Sequence, residues 1–211
     1  MKKAFPYRLY LVLSEQSCVH HDCIQVAEQA VAGGVDIVQL REKNVSKAVL
    51  MEKALRLQEV LSKYHVPLII NDDLEIAQAV NAFGIHVGNN DRSPTYIRAA
   101  WASCQSLGYS IETLEQVCNA EAMQSDYLGI SPVFSTPTKT DTITEWGLAG
   151  VQQIRALTEK PLVAIGRMNA DNAYEVIRAG ADTIAVVSAI CGATHPMKAA
   201  FEIRNQIEKA L

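Results

Sequence analysis

Nowhere in the 211 residues does an apolar run approach the roughly 18–20 residues of a membrane span, which argues against a membrane protein. Positive charge is not in excess either. Lys and Arg number 19 against 23 Asp and Glu, for a net charge of −4, so there is no basic surface to attract nucleic acid. Any Lys or Arg that holds an anion must do so as a local cluster. The five cysteines are odd in number, scattered and without a C-x-x-C pair. That excludes a disulfide framework and fits a reducing, cytoplasmic setting. His20 and His21 lie between Cys18 and Cys23, but the spacing matches no common zinc pattern. "MKKAFPYRLYLVL" has too short an apolar stretch for a signal peptide and no small-residue cleavage site. Its "RLYLVL" reads as a first strand. No G-x-G-x-x-G follows that strand, where "VLSEQS" stands instead, and this weakens a doubly wound dinucleotide fold. No linker or low-complexity run divides the chain, so one domain over 1–211 is expected.

Present throughout is a strand–helix rhythm. Apolar runs fall at 9–13, 36–40, 68–70, 84–87, 106–109, 127–130, 162–165 and 183–187. Helical periods lie between and after them, at 23–32, 47–64, 74–82, 94–102, 114–122, 148–157, 172–179 and 197–210. Within 47–64 the apolar positions Val49, Leu50, Leu57, Val60 and Leu61 recur at helical spacing. "AVAGGVDIVQL", "AVNAFGIHV" and "VIRAGADTIAVV" repeat one phrase, a helix stopped near a glycine and a strand soon after. Regular alternation means a parallel sheet, and eight units make an α/β fold of the (β/α)8 TIM-barrel type the leading expectation.

Chemistry in such barrels sits at the C-terminal ends of the strands. There, "IINDD" leaves a buried strand on two adjacent acids, Asp72 and Asp73. Helix capping would account for one of them; a divalent cation would account for more. Gln39, Arg41 and Lys43 alternate after the second strand, which puts them on one side of an extended segment. The fourth strand leads to Asp91, the fifth to Ser110, and the sixth to a polar stretch with Thr136, Thr138 and Lys139. Sixteen residues there, Ser131 to Trp146, show no period and make a candidate lid. The seventh ends "AIGRMN" and the eighth "VVSAI", in the loops where barrels of this type commonly bind phosphate. Singly, each has a bland reading: a solvated turn at Arg41 and Lys43, a cap at Asp91, a cap at Ser188. Together they place cations, carboxylates and hydroxyls on one face, which suits Mg2+ bridging a diphosphate.

The ordered segments "VQLREK", "PLIINDD", "GIHVGNND", "GYS", "DYLGISPVFSTPTK", "PLVAIG" and "GADTIAVVSAI" resemble those of the thiamine phosphate synthase family over nearly the whole chain. The resemblance implies a barrel enzyme, a transferase joining hydroxymethylpyrimidine diphosphate to a thiazole phosphate, with thiamine phosphate and pyrophosphate as products. It implies Asp72 and Asp91 as Mg2+ carboxylates. It implies Gln39, Arg41, Lys43, Asn71, Ser110 and Lys139 as the pyrimidine diphosphate site, with Arg41, Lys43, Ser110 and Lys139 as the catalytic set. Thr136, Thr138, Gly166, Val187 and Ser188 match the thiazole phosphate region.

The chief departure is Gly166-Arg167, where the family usually reads Gly-Gly; Arg167 is expected to contact the thiazole phosphate. The partners expected are the two small-molecule substrates, and a homo-oligomer is compatible with the sequence. Two rivals differ in class. A thiazole tautomerase on the same barrel would want a histidine where Glu112 stands, and would leave Asp72, Asp91, Arg41 and Lys43 without a task. A non-catalytic binding or regulatory protein would bind thiazole phosphate without turnover.

Overall fold

A computed structural model describes residues 5–136 and 144–211. Among these, parallel strands pair in sequence order and close into a barrel. They are β1 (Leu9–Leu13), β2 (Ile37–Leu40), β3 (Leu68–Asn71), β4 (Gly84–Val87), β5 (Ser106–Ile111), β6 (Tyr127–Ile130), β7 (Leu162–Ile165) and β8 (Thr183–Val186). The seam pairs Leu9 with Ile184 and Leu11 with Val186. Helices α1 (Cys23–Ala32), α2 (Lys47–Lys63), α3 (Leu74–Ala79), α4 (Pro94–Ala100), α5 (Ala120–Gln124), α6 (Gly147–Leu157) and α7 (Ala173–Arg178) lie between the strands, and α8 (Ser188–Cys191) and α9 (Pro196–Ala210) follow β8. The fold is the expected (β/α)8 barrel.

Side chains on a strand alternate between its two faces, and two separate cores result. On β1, Leu9, Leu11 and Leu13 face the helices, while Tyr10 and Val12 join Ile37, Ile69, Tyr127, Val163 and Ala185 inside the barrel. Phe5, Tyr7 and Phe83 pack against this inner cluster. Phe5 stacks on Tyr127 with ring centroids 4.6 Å apart, and Tyr7 meets Phe83 edge-on at 6.0 Å. These rings fill the N-terminal end of the barrel beneath the inner cluster.

Some sequence expectations need correction. The helix expected over 114–122 is broken: a 3-10 turn spans Leu114–Cys118, and α5 begins at Ala120. The cause is Asn119, whose side chain accepts from Ala122 N at 2.7 Å and so caps a new helix instead of continuing the old one. Strand β5 runs on to Ile111, because Ser110 and Ile111 still pair with Gly129 and Ile130. The helix expected over 74–82 ends at Ala79, and Asn81 takes a left-handed turn with φ 51°.

Asp36 lies outside β2, and its carboxylate does a different task. Three strands begin just after an aspartate: Asp36 before β2, Asp126 before β6 and Asp182 before β8. Each gives its backbone N–H to a carbonyl at the start of the preceding strand: Asp36 to Leu9, Asp126 to Leu107 and Asp182 to Leu162. Each carboxylate then accepts that same residue's N–H, at 3.1, 2.7 and 2.8 Å. Each is also bound by an arginine from the helical layer: Arg204 at 2.6 Å, Arg98 at 2.5 Å and Arg155 at 2.9 Å. Before β4 the position is Phe83, which keeps the backbone bond to Leu68 and adds its ring to the aromatic plug.

These clamps pin helix layer to strand layer at the end away from the polar rim. Asp126→Ala leaves Arg98 only its bonds to Gln124 O and Cys104 O and leaves the Leu107 N–H without its acceptor, and should cost about 2–3 kcal/mol of stability. Chemical denaturation would show it as a lower midpoint. Catalytic turnover per folded molecule should stay as in wild type; a selective loss of turnover without destabilisation would contradict a purely structural role.

Candidate active site

The C-terminal mouth of the barrel opens into a cavity of about 280 Å³. Gln39, Arg41, Lys43, Asn71, Asp72, Asp91, Ser110, Thr136, Gly166, Arg167, Val187 and Ser188 all line it. Every expected site residue that lies among the described residues is therefore brought to one place. Thr138 and Lys139, with the middle of the candidate lid, lie outside the described residues.

The run after β2 works by alternation. Arg41 N still donates to Leu13 O at 2.8 Å, so the chain stays extended past the strand's last residue. Arg41 and Lys43 then face the cavity, and Glu42 between them turns away, its side chain only 5% exposed.

Capping does not explain the two acids. Asp73 caps α3, accepting from Ile76 N at 3.0 Å, which leaves Asp72 without that task. Ser93 caps α4, accepting from Tyr96 N at 3.2 Å, which does the same for Asp91. Asp72 has φ 62°, a left-handed conformation that aspartate and asparagine tolerate better than most residues. Its carboxylate meets Lys43 Nζ at 2.5 Å. Asp91 accepts from Gly88 N at 2.8 Å. Burial and then the adjacent Asp72 carboxyl raise the Asp91 carboxyl above the usual aspartate range. Two facing carboxylates against one ammonium leave negative charge in excess, a setting that favours a cation.

The donor chemistry selects among cations. Among the described residues no group of three or more His, Cys, Asp or Glu is arranged to hold a metal ion. Zinc usually takes at least three such ligands from the protein. Mg2+ takes one or two carboxylates and completes its shell with water and phosphate oxygens. Asp72 and Asp91 fit Mg2+ on that ground.

The floor of the cavity holds a hydrogen-bonded chain that sequence reading missed. Gln39 Nε2 donates to Tyr10 Oη at 2.9 Å, and Tyr10 Oη lies 3.0 Å from Tyr127 Oη. Tyr127 Oη lies 3.1 Å from His86 Nδ1, and His86 Nε2 lies 2.8 Å from Ser110 Oγ. Burial raises both phenols well above their ordinary value, so both keep their protons. One direction leaves neither buried phenol hydrogen unpaired: Tyr10 donates to Tyr127, and Tyr127 donates to His86 Nδ1. His86 is then assigned its proton on Nε2, which donates to Ser110. In that arrangement the Ser110 hydroxyl oxygen accepts, and its hydrogen is not spent on His86. Gly108 and Gly129 make room for these rings. A Cβ on Gly108 would lie 2.2 Å from Tyr127 Cζ and 2.3 Å from His86 Nδ1.

The loops after β6 and β7 interlock opposite the acids. Val133 N donates to Ile165 O at 2.8 Å, and Gly166 has φ 117°. A Cβ there would sit 2.7 Å from Pro132 Cβ, so glycine is required on both counts. Arg167 follows with φ 55°, an unusual conformation for a residue with a side chain. Its side chain is exposed at the cavity. Ser188 is not a cap. Val187 holds the cap position of α8 without a side-chain bond, and Ser188 is the first helical residue.

Tyr10, His86 and Tyr127 did carry a signal. They are polar-tipped residues at inward positions of otherwise apolar strands. In "LYLVL" the uniform apolar run hid which face Tyr10 takes.

Comparisons with known proteins agree with this geometry. The family profile described as thiamine monophosphate synthase matches residues 9–190. The thiamine-phosphate synthase of Albidiferax ferrireducens is 44% identical over 201 residues, covering 95% of this chain and 92% of that one. That of Leptospira biflexa is 44% identical over 202 residues, covering 94% and 96%. Among solved structures, a thiamine phosphate pyrophosphorylase from Pyrococcus furiosus superposes with a TM-score of 0.89 at 31% identity, covering 98% of each chain. A 3-hexulose-6-phosphate synthase shares the fold alone, at 17% identity and a TM-score of 0.68. With a profile match across most of its length and curated relatives above two-fifths identity, the chain belongs to the thiamine monophosphate synthase family.

Proposed function

We propose that this protein is a thiamine phosphate synthase, which joins hydroxymethylpyrimidine diphosphate to a thiazole phosphate and releases pyrophosphate, and that one barrel domain over 1–211 carries the whole site. The observation that carries this reading is the pair Asp72 and Asp91, both released from capping, beside Arg41 and Lys43 at one mouth. Mixing both precursors with Mg2+ and assaying for thiamine phosphate and pyrophosphate tests it; binding of the precursors without product would favour a non-catalytic protein instead.

Asp72 and Asp91 would hold the metal. Mg2+, when bound, supplies positive charge against the diphosphate leaving group. Arg41 and Lys43, with Lys139, donate to the pyrophosphate oxygens as the carbon–oxygen bond breaks and the leaving group takes the electron pair. Gln39, Asn71 and Ser110 orient the aminopyrimidine, whose ring shares the positive charge left at its methylene. The thiazole nitrogen then forms the new bond. Thr136, Thr138, Gly166, Val187 and Ser188 hold the thiazole phosphate. No side chain serves as nucleophile, so positioning and electrostatics supply the catalysis.

Arg167 also belongs to the thiazole phosphate site. A residue kept left-handed at φ 55° bears a conformational cost of roughly 1–2 kcal/mol that glycine would avoid. Retaining it suits a function for the guanidinium, which matches phosphate geometry. Arg167→Gly should therefore leave the protein at least as stable, yet raise the thiazole phosphate KM by roughly ten- to a hundredfold, the worth of a hydrogen bond to a charged group. The pyrimidine diphosphate KM should hardly move. A lower thiazole phosphate KM in the variant would mark Arg167 as an obstruction.

The partners in this reading are small molecules. Among the described residues no helix is long and apolar enough to cross a membrane. A cytoplasmic location, and self-association if it occurs, belong to the proposal.

A further inference from the structure

Behind the basic wall of the cavity lies a second set of charges that the proposed chemistry does not use. Glu42 turns out of the cavity, and its Oε1 accepts from Lys53 Nζ at 2.6 Å and from Glu15 N at 3.0 Å. Lys53 Nζ also reaches Glu15 Oε2 at 3.2 Å. Lys53 stands on α2, Glu42 in the loop after β2, and Glu15 opens the short turn after β1. Ser14 and Ser17, on either side of that turn, line the cavity, and their hydroxyls bond each other at 2.8 Å. One ammonium therefore ties two rim loops to one helix.

We infer that Glu42 and Lys53 form a positioning pair, which holds Arg41 and Lys43 toward the diphosphate by anchoring the residue between them. In an extended segment, a residue's direction is set by its neighbours. Fixing Glu42 outward fixes Arg41 and Lys43 inward. The backbone alone does not secure this, because Asn44 turns left-handed at φ 61° immediately afterwards and regular ladder pairing has ended. Burial disfavours the charge of Lys53, but its bonds to Glu42 and Glu15 outweigh that. A nearly buried ion pair adds little stability over an apolar pair of similar size. Its contribution here is a defined loop geometry, and that geometry sets the reach of two cations which must meet a charged leaving group.

This inference rests on the proposed reaction, so its test has an arm that needs no turnover. Calorimetry with Mg2+ and inorganic pyrophosphate reads the basic wall directly, alongside steady-state kinetics with both substrates. The double variant Glu42→Leu, Lys53→Met removes the pair without leaving a buried lone charge. It should melt close to wild type, bind Mg-pyrophosphate roughly tenfold more weakly, and lose roughly ten- to a hundredfold in kcat/KM for the pyrimidine diphosphate. The thiazole phosphate KM should stay unchanged. Lys53→Arg, which keeps the charge, should recover most of both losses. If the double variant does not fold, Glu42→Gln decides, with about threefold weaker pyrophosphate binding expected from the loss of charge. Wild-type pyrophosphate affinity in a folded variant lacking the pair overturns the inference. Absence of turnover in the wild type, with the binding losses intact, would overturn the proposed reaction and leave the positioning pair standing.

Discussion

An Asp72→Asn variant is expected to turn over roughly a hundred- to a thousandfold more slowly than wild type, the scale of losing one electrostatic stabiliser of developing charge. The substitution isolates charge from shape. Asparagine is nearly the same size and tolerates the left-handed backbone at φ 62°. It cannot disturb the α3 cap, because Asp73 supplies that. The melting temperature should therefore change little. Asp91→Asn should behave alike, since Ser93 caps α4. If both acids serve one ion, the double variant should be scarcely worse than either single one, as for residues that act as a unit. A Mg2+ titration of turnover provides the second readout, with the half-saturating concentration moving upward in each variant. Wild-type turnover with an unchanged Mg2+ dependence in Asp72→Asn would falsify the metal role.

Gly108→Ala should damage both the stability and the site in the barrel floor. The added carbon would sit 2.2 Å from Tyr127 Cζ and 2.3 Å from His86 Nδ1, so one or both rings must shift. Tyr127 is fully buried between Tyr10 and Phe5. Overpacking of this kind costs about 3 kcal/mol at its upper range. At this chain length that corresponds to a fall of roughly 6–12 °C in melting temperature. Activity should fall as well, because His86 would lose its alignment with Ser110, and Tyr10 its alignment with Gln39. Compressing glycine's neighbour instead offers a control. Tyr127→Phe keeps the ring and drops the hydroxyl, so it should melt nearer wild type yet still weaken substrate binding. If Gly108→Ala is as stable and as active as wild type, the floor is looser than the packing indicates.

The linear pattern carried the strand–helix rhythm because burial on one face or two leaves a periodic trace in any amphipathic segment. It also carried the list of rim residues, since chemistry in this architecture collects where strands end. Gln39, Arg41, Asp72, Asp91, Ser110 and Ser188 could be named from position along the chain, and the cavity holds them all. Family membership rests on the same order of short segments, matched over residues 9–190.

Closure of the barrel settled the rest. Whether Asp72 or Asp73 caps α3 depends on one backbone turn, and both readings were open until that turn was placed. The chain from Gln39 through Tyr10, Tyr127 and His86 to Ser110 joins β2, β1, β6, β4 and β5. Tyr10 and Tyr127 are 117 residues apart in sequence and touch because opposite strands of a closed barrel share one interior. Asp36 and Arg204, 168 residues apart, meet for a different reason: closure sets α9 in the outer layer beside the start of β2. Periodicity reports which face of its own element a residue takes. It carries no information on which distant residue shares that face, because that is fixed by strand order, register and closure.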